Sequence, residues 1–150
     1  MNDMANIYAP WWDTTLTVYN KYTDPVTDVI SWYRHKVENA FWKYTGNKVV
    51  INENVIESND IICRIRKDDA FLENYQWIES DEKSEHFTLS KGDIIVKGEV
   101  TDEIDEYLTG QHSSDLIRKY KNLQGCLVVS EFTINTDGGR CNEHYYVKGE

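Results

Sequence analysis

The sequence predicts a mainly β domain, a small antiparallel β-barrel or sandwich with one short helix and a long irregular loop. Three observations lead there. Short stretches of alternating apolar and polar residues recur along the chain, bounded by Gly, Pro, Asn or Asp, as half-buried strands require. Aromatics are abundant, with 10 Tyr, 5 Trp and 4 Phe in 150 residues, and rings favour strands while burying large areas. Only residues 113–122 carry a helical period with matching end signals.

Residues 14–20 (Thr-Thr-Leu-Thr-Val-Tyr-Asn) alternate and open the domain as its first strand. Asp24-Pro25 marks a turn. Residues 29–36 read as a second strand, and 37–44 as another strand or its continuation, ending at Gly46-Asn47. Trp32 and Trp42 fall in this block, and residues 48–52 read as a short strand. Residues 60–66 put Ile61, Cys63 and Ile65 on one face and Ile62, Arg64 and Arg66 on the other.

Residues 67–85 are the least regular stretch, a helical turn within 69–75 followed by a charged loop. Connections of that length are functional or mobile. Residues 87–98 read as a β-hairpin about Gly92-Asp93. Thr101-Asp102-Glu103 opens an acidic turn or short helix that ends near Gly110. Ser113 or Ser114 caps the helix, Asp115 sits in its first turn, Leu116, Ile117 and Tyr120 form its apolar stripe, and Gly125 ends it. Residues 126–134 and 140–147 close the chain as a hairpin around 135–139.

The domain is therefore 14–150, with a loop insertion around 67–85 and an N-terminal arm over 1–13. The arm carries Ile7, Tyr8, Trp11 and Trp12 without a period. It is either a weakly packed tail or an anchor on a neighbouring subunit, since exposed paired tryptophans are costly unless they dock.

A 150-residue chain suits one domain, which buries about 70% of its unfolded surface. No apolar run approaches the ~20 residues of a membrane helix, and residues 1–12 lack the basic start and apolar core of a secretory signal. Synthesis inside the cell and no membrane partner are the expectation. Cys63, Cys126 and Cys141 form no CxxC pair, and a turn at 135–138 would place Phe132 opposite Cys141 and Cys126 opposite Val147. That register separates the two cysteines too far for a disulfide, so all three are expected as reduced, small core residues.

Formal charge is −10, from 26 acids and 16 bases. Between Glu79 and Glu106 ten acids stand against three lysines, a surplus of seven. Phosphate binding needs the opposite sign, so sequence-specific DNA recognition is disfavoured. The carboxylates lie mostly in loops without apolar partners to raise a pKa, which a catalytic acid needs. His35, His86, His112 and His144 are scattered without ligand spacing. Cys141 and His144 fall on opposite faces of a predicted strand, which spoils a local thiolate–imidazole pair. Asp137-Gly138-Gly139-Arg140 opens no helix and reads as a turn. No enzyme, metal or cofactor is expected. Arg64, Arg66 and Lys67, and separately Arg118, Lys119 and Lys121, are either solvated charge or contacts to acids of an adjacent subunit.

Several segments together resemble a protein family. They are Thr17-Val18-Tyr19-Asn20-Lys21, then Ser31-Trp32-Tyr33, then the strand at 60–66, then Leu89-Ser90-Lys91-Gly92-Asp93-Ile94-Ile95-Val96-Lys97-Gly98. A Ser113-Ser114-Asp115-Leu116 helix start and the ending His144-Tyr145-Tyr146-Val147-Lys148-Gly149 follow. In this order, over roughly the whole chain, the sequence resembles the head–tail connector or stopper (head-completion) proteins of the neck of long-tailed bacteriophages.

The resemblance implies a structural virion protein, made in the host cytoplasm and residing in the neck. Such proteins form a homo-oligomeric ring, commonly a hexamer, between an adaptor on the portal side and a tail terminator or tail-tube protein. A long loop of the barrel closes the DNA channel, and duplex DNA passes without sequence-specific binding. Here the loop would be 67–85, with Glu79, Asp81, Glu82, Lys83 and Glu85 toward the lumen, where acidic walls would not hold the duplex. Trp11, Trp12, Arg64, Arg66, Arg118 and Lys119 would meet neighbouring subunits. The Trp-bearing arm is longer than the start of such proteins. Two alternatives remain: a β-barrel that binds a small molecule or peptide in an aromatic pocket, and an acidic inhibitor that mimics DNA.

Overall fold

A computed structural model describes residues 12–107, 110–135 and 144–150, with 46–51, 54–59, 122 and 135 described by backbone alone. The elements are β1 (Thr14–Thr23), β2 (Ile30–Ile51), β3 (Asn54–Arg66), α1 (Asn74–Glu79), β4 (Ile94–Lys97), α2 (Ser113–Leu123), β5 (Cys126–Asn135) and β6 (His144–Gly149). The six strands close into a barrel in the order β1-β2-β3-β6-β5-β4, every neighbour antiparallel. This is the mainly β barrel that the alternation and the aromatics predict, with two short helices in place of one.

β2 is a single strand where the sequence suggests two or three. Thr14 pairs with Ala40 but Leu16 pairs with Val37, so β2 carries one extra residue, and Asn39 there has φ of 57°. Such a bulge bends a strand sharply, and it turns β2 from its pairing with β1 to its pairing with β3. The bend accounts for the apparent break in the pattern after Lys36. Beyond Tyr44 and Ile61, β2 and β3 pair with each other alone among the described strands, as far as Ile51 opposite Asn54. Asn52 and Glu53 turn the ribbon with φ of 50° and 69°, the left-handed pair that a two-residue hairpin turn requires. Seven residue steps at ~3.4 Å make this ribbon about 24 Å long.

Two apolar clusters hold the body. Leu16 and Val18 of β1 point into the barrel with Val37, Ala40, Ile61, Cys63, Ile65, Ile95, Leu127, Val129, Tyr145 and Val147. Tyr19, Ile94, Val96 and Cys126 form the second cluster with Leu116 and Tyr120 of α2. β1 is thus buried on both faces. Thr17 satisfies its hydroxyl within that burial by donating to Gly98 O at 2.8 Å and accepting from Val100 N at 3.1 Å.

α2 follows its predicted span, but its N-cap is His112 rather than a serine, with Asp115 accepting from His112 N at 3.1 Å. Residues 87–98 do not form a hairpin. Only Ile94–Lys97 is a strand, pairing with β1 and β5, while Ser90–Asp93 makes a tight turn with Gly92 at φ 98°. Phe87 and Leu89 instead enter the barrel core, where nothing is left for a second strand to pair with. In the closing hairpin Phe132 pairs with Val147, and Cys126 pairs with Val96 of β4. The expected pairing of Phe132 with Cys141 is therefore corrected; the turn over 136–139 and Cys141 itself lie outside the described residues.

Candidate functional site

The segment expected to be a mobile channel loop is packed against the barrel. Asp68 starts it with a tight turn, its carboxylate accepting from Ala70 N at 2.8 Å. Phe71 then bridges Phe87 in parallel and stacks on Tyr145 at 4.1 Å between ring centroids. α1 follows, overlapping only the end of the span 69–75 where the sequence suggests a helical turn. Its Trp77 is fully buried, meets Tyr22 and Tyr33 edge to face, and donates Nε1 to Lys83 O at 3.2 Å. The aromatic content of the sequence held this signal: a Trp inside a charged, irregular stretch has to find a core.

The loop acids Glu79, Asp81, Glu82 and Glu85 are exposed, and Glu82 reaches His86 at 4.0 Å. Lys83 differs from them. Its ammonium lies 4.7 Å from the Tyr22 ring centroid and donates to Ser80 O at 2.7 Å, turned back onto its own barrel. Immediately downstream, Asn20 clamps the chain through both amide atoms, donating to Thr88 O at 2.6 Å and accepting from Thr88 N at 3.1 Å. Asn20 also donates to Asp93, whose buried carboxylate accepts from Lys21 N and Ser90 N at 3.0 and 2.9 Å. Burial raises the Asp93 pKa to about 6, against the pull of those hydrogen bonds. These are the ties of a fixed turn.

The residues expected at subunit interfaces fall in two places. Trp12 packs between Phe41 and His144 at 6.2 and 5.5 Å. Arg64 lies over the rings of Phe41 and Tyr146, and Arg66 Nη2 donates to Trp12 O at 3.5 Å. Together they form a ladder of rings and guanidinium groups on the outer face of β2, β3 and β6. Arg118 pairs with Asp115, and Lys119 donates to Asp102 at 2.8 Å. Burial raises the Asp102 pKa, but the bonds from Lys119 and Tyr120 outweigh it and leave the group below its usual value. Trp11 lies outside the described residues.

Burial pushes the thiol of Cys126 up to about 12 and that of Cys63 well above its usual value, so both stay protonated. Among the described residues no three His, Cys, Asp or Glu side chains stand close enough to hold a metal ion.

One feature escaped the sequence. At the base of the β2–β3 ribbon lies a cleft of about 250 Å³ lined by Trp42, Tyr44, Ile61, Lys121, Gly125 and Glu150, among others. Gly125, with φ of 115°, brings the turn after α2 so close to Trp42 that a Cβ would stand 3.1 Å from its ring. Tyr44 of its lining is 59% exposed. The cleft joins residues from four separate parts of the chain, which no local pattern announces.

No curated protein and no solved structure is significantly similar to this chain. A family model matches it over residues 11–150, nearly its whole length, and the chain accordingly belongs to DUF6751, a family of unknown function.

Proposed function

We propose that this protein is a structural subunit of the neck of a tailed bacteriophage, a ring-forming stopper that joins head to tail and closes the DNA channel, with no catalytic role. The observation that carries the reading is a solid closed barrel with a ribbon projecting from one end. Side chains of all six strands fill the interior, and the chain presents shape and surface rather than a chamber. The segment order quoted from the sequence supports the same role. The exposed acids Glu79, Asp81, Glu82 and Glu85 suit a lumen wall that must not retain passing DNA.

The ligand-binding alternative has less support, because the barrel interior that would form its pocket is occupied by Leu16, Val18, Phe87 and Leu89. The channel closure itself needs a revised account, since a segment pinned by Trp77 has to move with its subunit rather than swing alone.

Deleting the gene from the phage that encodes it tests the reading. DNA-filled heads and free tails should accumulate, and adding purified protein to the lysate should restore infectious particles. Normal particles from the deletion, or absence of the protein from purified virions by mass spectrometry, would overturn it.

A further inference from the structure

Two sides of the barrel carry unlike surfaces. On β3, Ile61, Cys63 and Ile65 take the core, so Ile62, Arg64 and Arg66 point outward. Residues opposite each other on paired strands share a face. Lys43 and Lys148 therefore flank Ile62, and Phe41 and Tyr146 flank Arg64. Four bases, Lys43, Arg64, Arg66 and Lys148, stand there against Asp60 and Glu131, on a chain whose charge is −10. Asp60 is taken by Lys148 at 3.5 Å. Among the described residues the partners of Arg64 are rings rather than acids, and Lys43 is exposed. Rings set among guanidinium groups are the composition of protein contact surfaces.

α1 presents the opposite character. Trp77 holds it against Tyr22 of β1 and Tyr33 of β2. On the side turned away from Trp77 stand Tyr75 and Ile78, 64% and 41% exposed, with Glu79 one turn after Tyr75. The helix contains no base. β1 and β6 lie opposite each other in the six-strand circuit, so α1 and the basic face look away from one another.

We propose that α1 of one copy docks on the basic aromatic face of β2, β3 and β6 of a second copy, assembling the chain head to tail. Tyr75 and Ile78 cover Phe41, Ile62 and Tyr146, while Glu79 meets Lys43 and Arg64. The apolar residues supply the burial and opposite charge fixes the register. Because Trp77 already fixes α1 on its own barrel, little ordering is left to be done on contact. A contact between two different patches repeats from copy to copy and closes into a ring when the rotation permits. The inference deepens the ring reading and rests on it for the second copy. Glu79 then stands where subunits meet, and Asp81, Glu82 and Glu85 beyond it are left for the lumen.

Carbodiimide cross-linking tests it, since the reagent joins a lysine amine to a carboxylate in direct contact. Protein labelled with heavy nitrogen and unlabelled protein are mixed at high concentration, cross-linked and peptide-mapped. The expected product is an amide from Lys43 to Glu79 that joins a heavy copy to a light one. The internal pair Lys119–Asp102, in contact at 2.8 Å, is the control for the reagent. Lys43→Glu and Glu79→Lys should each weaken association about tenfold in sedimentation velocity at low salt, and K43E/E79K should recover it. Absence of the mixed link, with Lys43 joined only to acids of its own copy or to none, would mean that the face is covered from within or stays bare. Association unchanged by either reversal would mean another occupant. Each result overturns the proposal, as does a wild-type protein that stays monomeric at high concentration. None of them bears on virion incorporation, so the neck assignment stands or falls by its own test. Unchanged thermal unfolding of each variant establishes that the barrel is intact.

Discussion

Residues 67–86 and the β2–β3 ribbon contradict each other's appearance. Residues 67–86 have a disordered look in sequence, charged and without period, yet they are fastened by the buried Trp77 and the stacked Phe71. The ribbon resembles ordinary strand, yet beyond Tyr44 and Ile61 no third strand among the described residues supports it. Regular hydrogen bonding and structural support are separate properties. A chain segment is held by the apolar area it removes from water, and one indole can outweigh seven well-paired residue steps.

Removing the fastener should break this contrast most sharply. Trp77→Ala deletes a fully buried ring and two edge-to-face contacts, and should cost about 3–5 kcal/mol in urea unfolding. Proteolysis would then begin within 67–86. A loss below about 1 kcal/mol, at the level of an exposed site, would show that the segment is not tied to the barrel after all.

The next largest effect concerns the turn that anchors the end of the same segment. Asp93 has its pKa raised by burial from the usual 3.8 to about 6. Between those values the folded protein keeps a proton that the unfolded chain has released. Stability from this group is therefore full below about pH 4, falls as pH rises, and levels off above about pH 6, a change of about 3 kcal/mol. Asp24, Asp102 and Glu106, whose pKa values are lowered, act in the opposite sense at lower pH. The difference between wild type and Asp93→Asn isolates the contribution of this one carboxyl. Urea unfolding measured from pH 4 to 7 should show wild type losing about that much relative to the variant across the window. A constant difference would mean that Asp93 does not titrate there.

A smaller loss is expected at the barrel seam, the counterpart of the ribbon. A Cβ on Gly149 would stand 2.1 Å from Val128 O, where β6 crosses β5. Backbone has to shift to admit it, so Gly149→Ala should destabilise by about 1–3 kcal/mol. A neutral result would mean that the seam is as yielding as the ribbon.

Sequence reasoning reached the barrel because alternation reports burial directly. In β3, Ile61, Cys63 and Ile65 face the core as their spacing requires, and in α2 Leu116 and Tyr120 do the same. It failed where tertiary partners decide. Leu89 alternates with its neighbours like a strand residue, but β4 already has β1 and β5 on its two edges. The bulge at Asn39 hid the continuity of β2, and the register of β5 and β6 depended on residues far from the turn. The expected interface residues were legible as exposed or amphipathic types, but Arg64 and Lys119 turn out to have partners within their own chain. The cleft was illegible because Trp42, Lys121 and Glu150 meet only after the barrel closes.

The smallest effect on the barrel should come from removing the ribbon altogether. Thr45 pairs with Asp60, so replacing residues 46–59 by Asn-Gly joins the two strands through a two-residue turn that suits their twist. Among the described strand pairings, residues 46–51 and 54–59 pair only with each other. Urea unfolding of the shortened protein should therefore match the full chain within about 0.5 kcal/mol, the scale of a surface change. A barrel that loses several kcal/mol would mean that the ribbon folds back on the body, and the contrast between a supported irregular segment and an unsupported regular one would be wrong at its root.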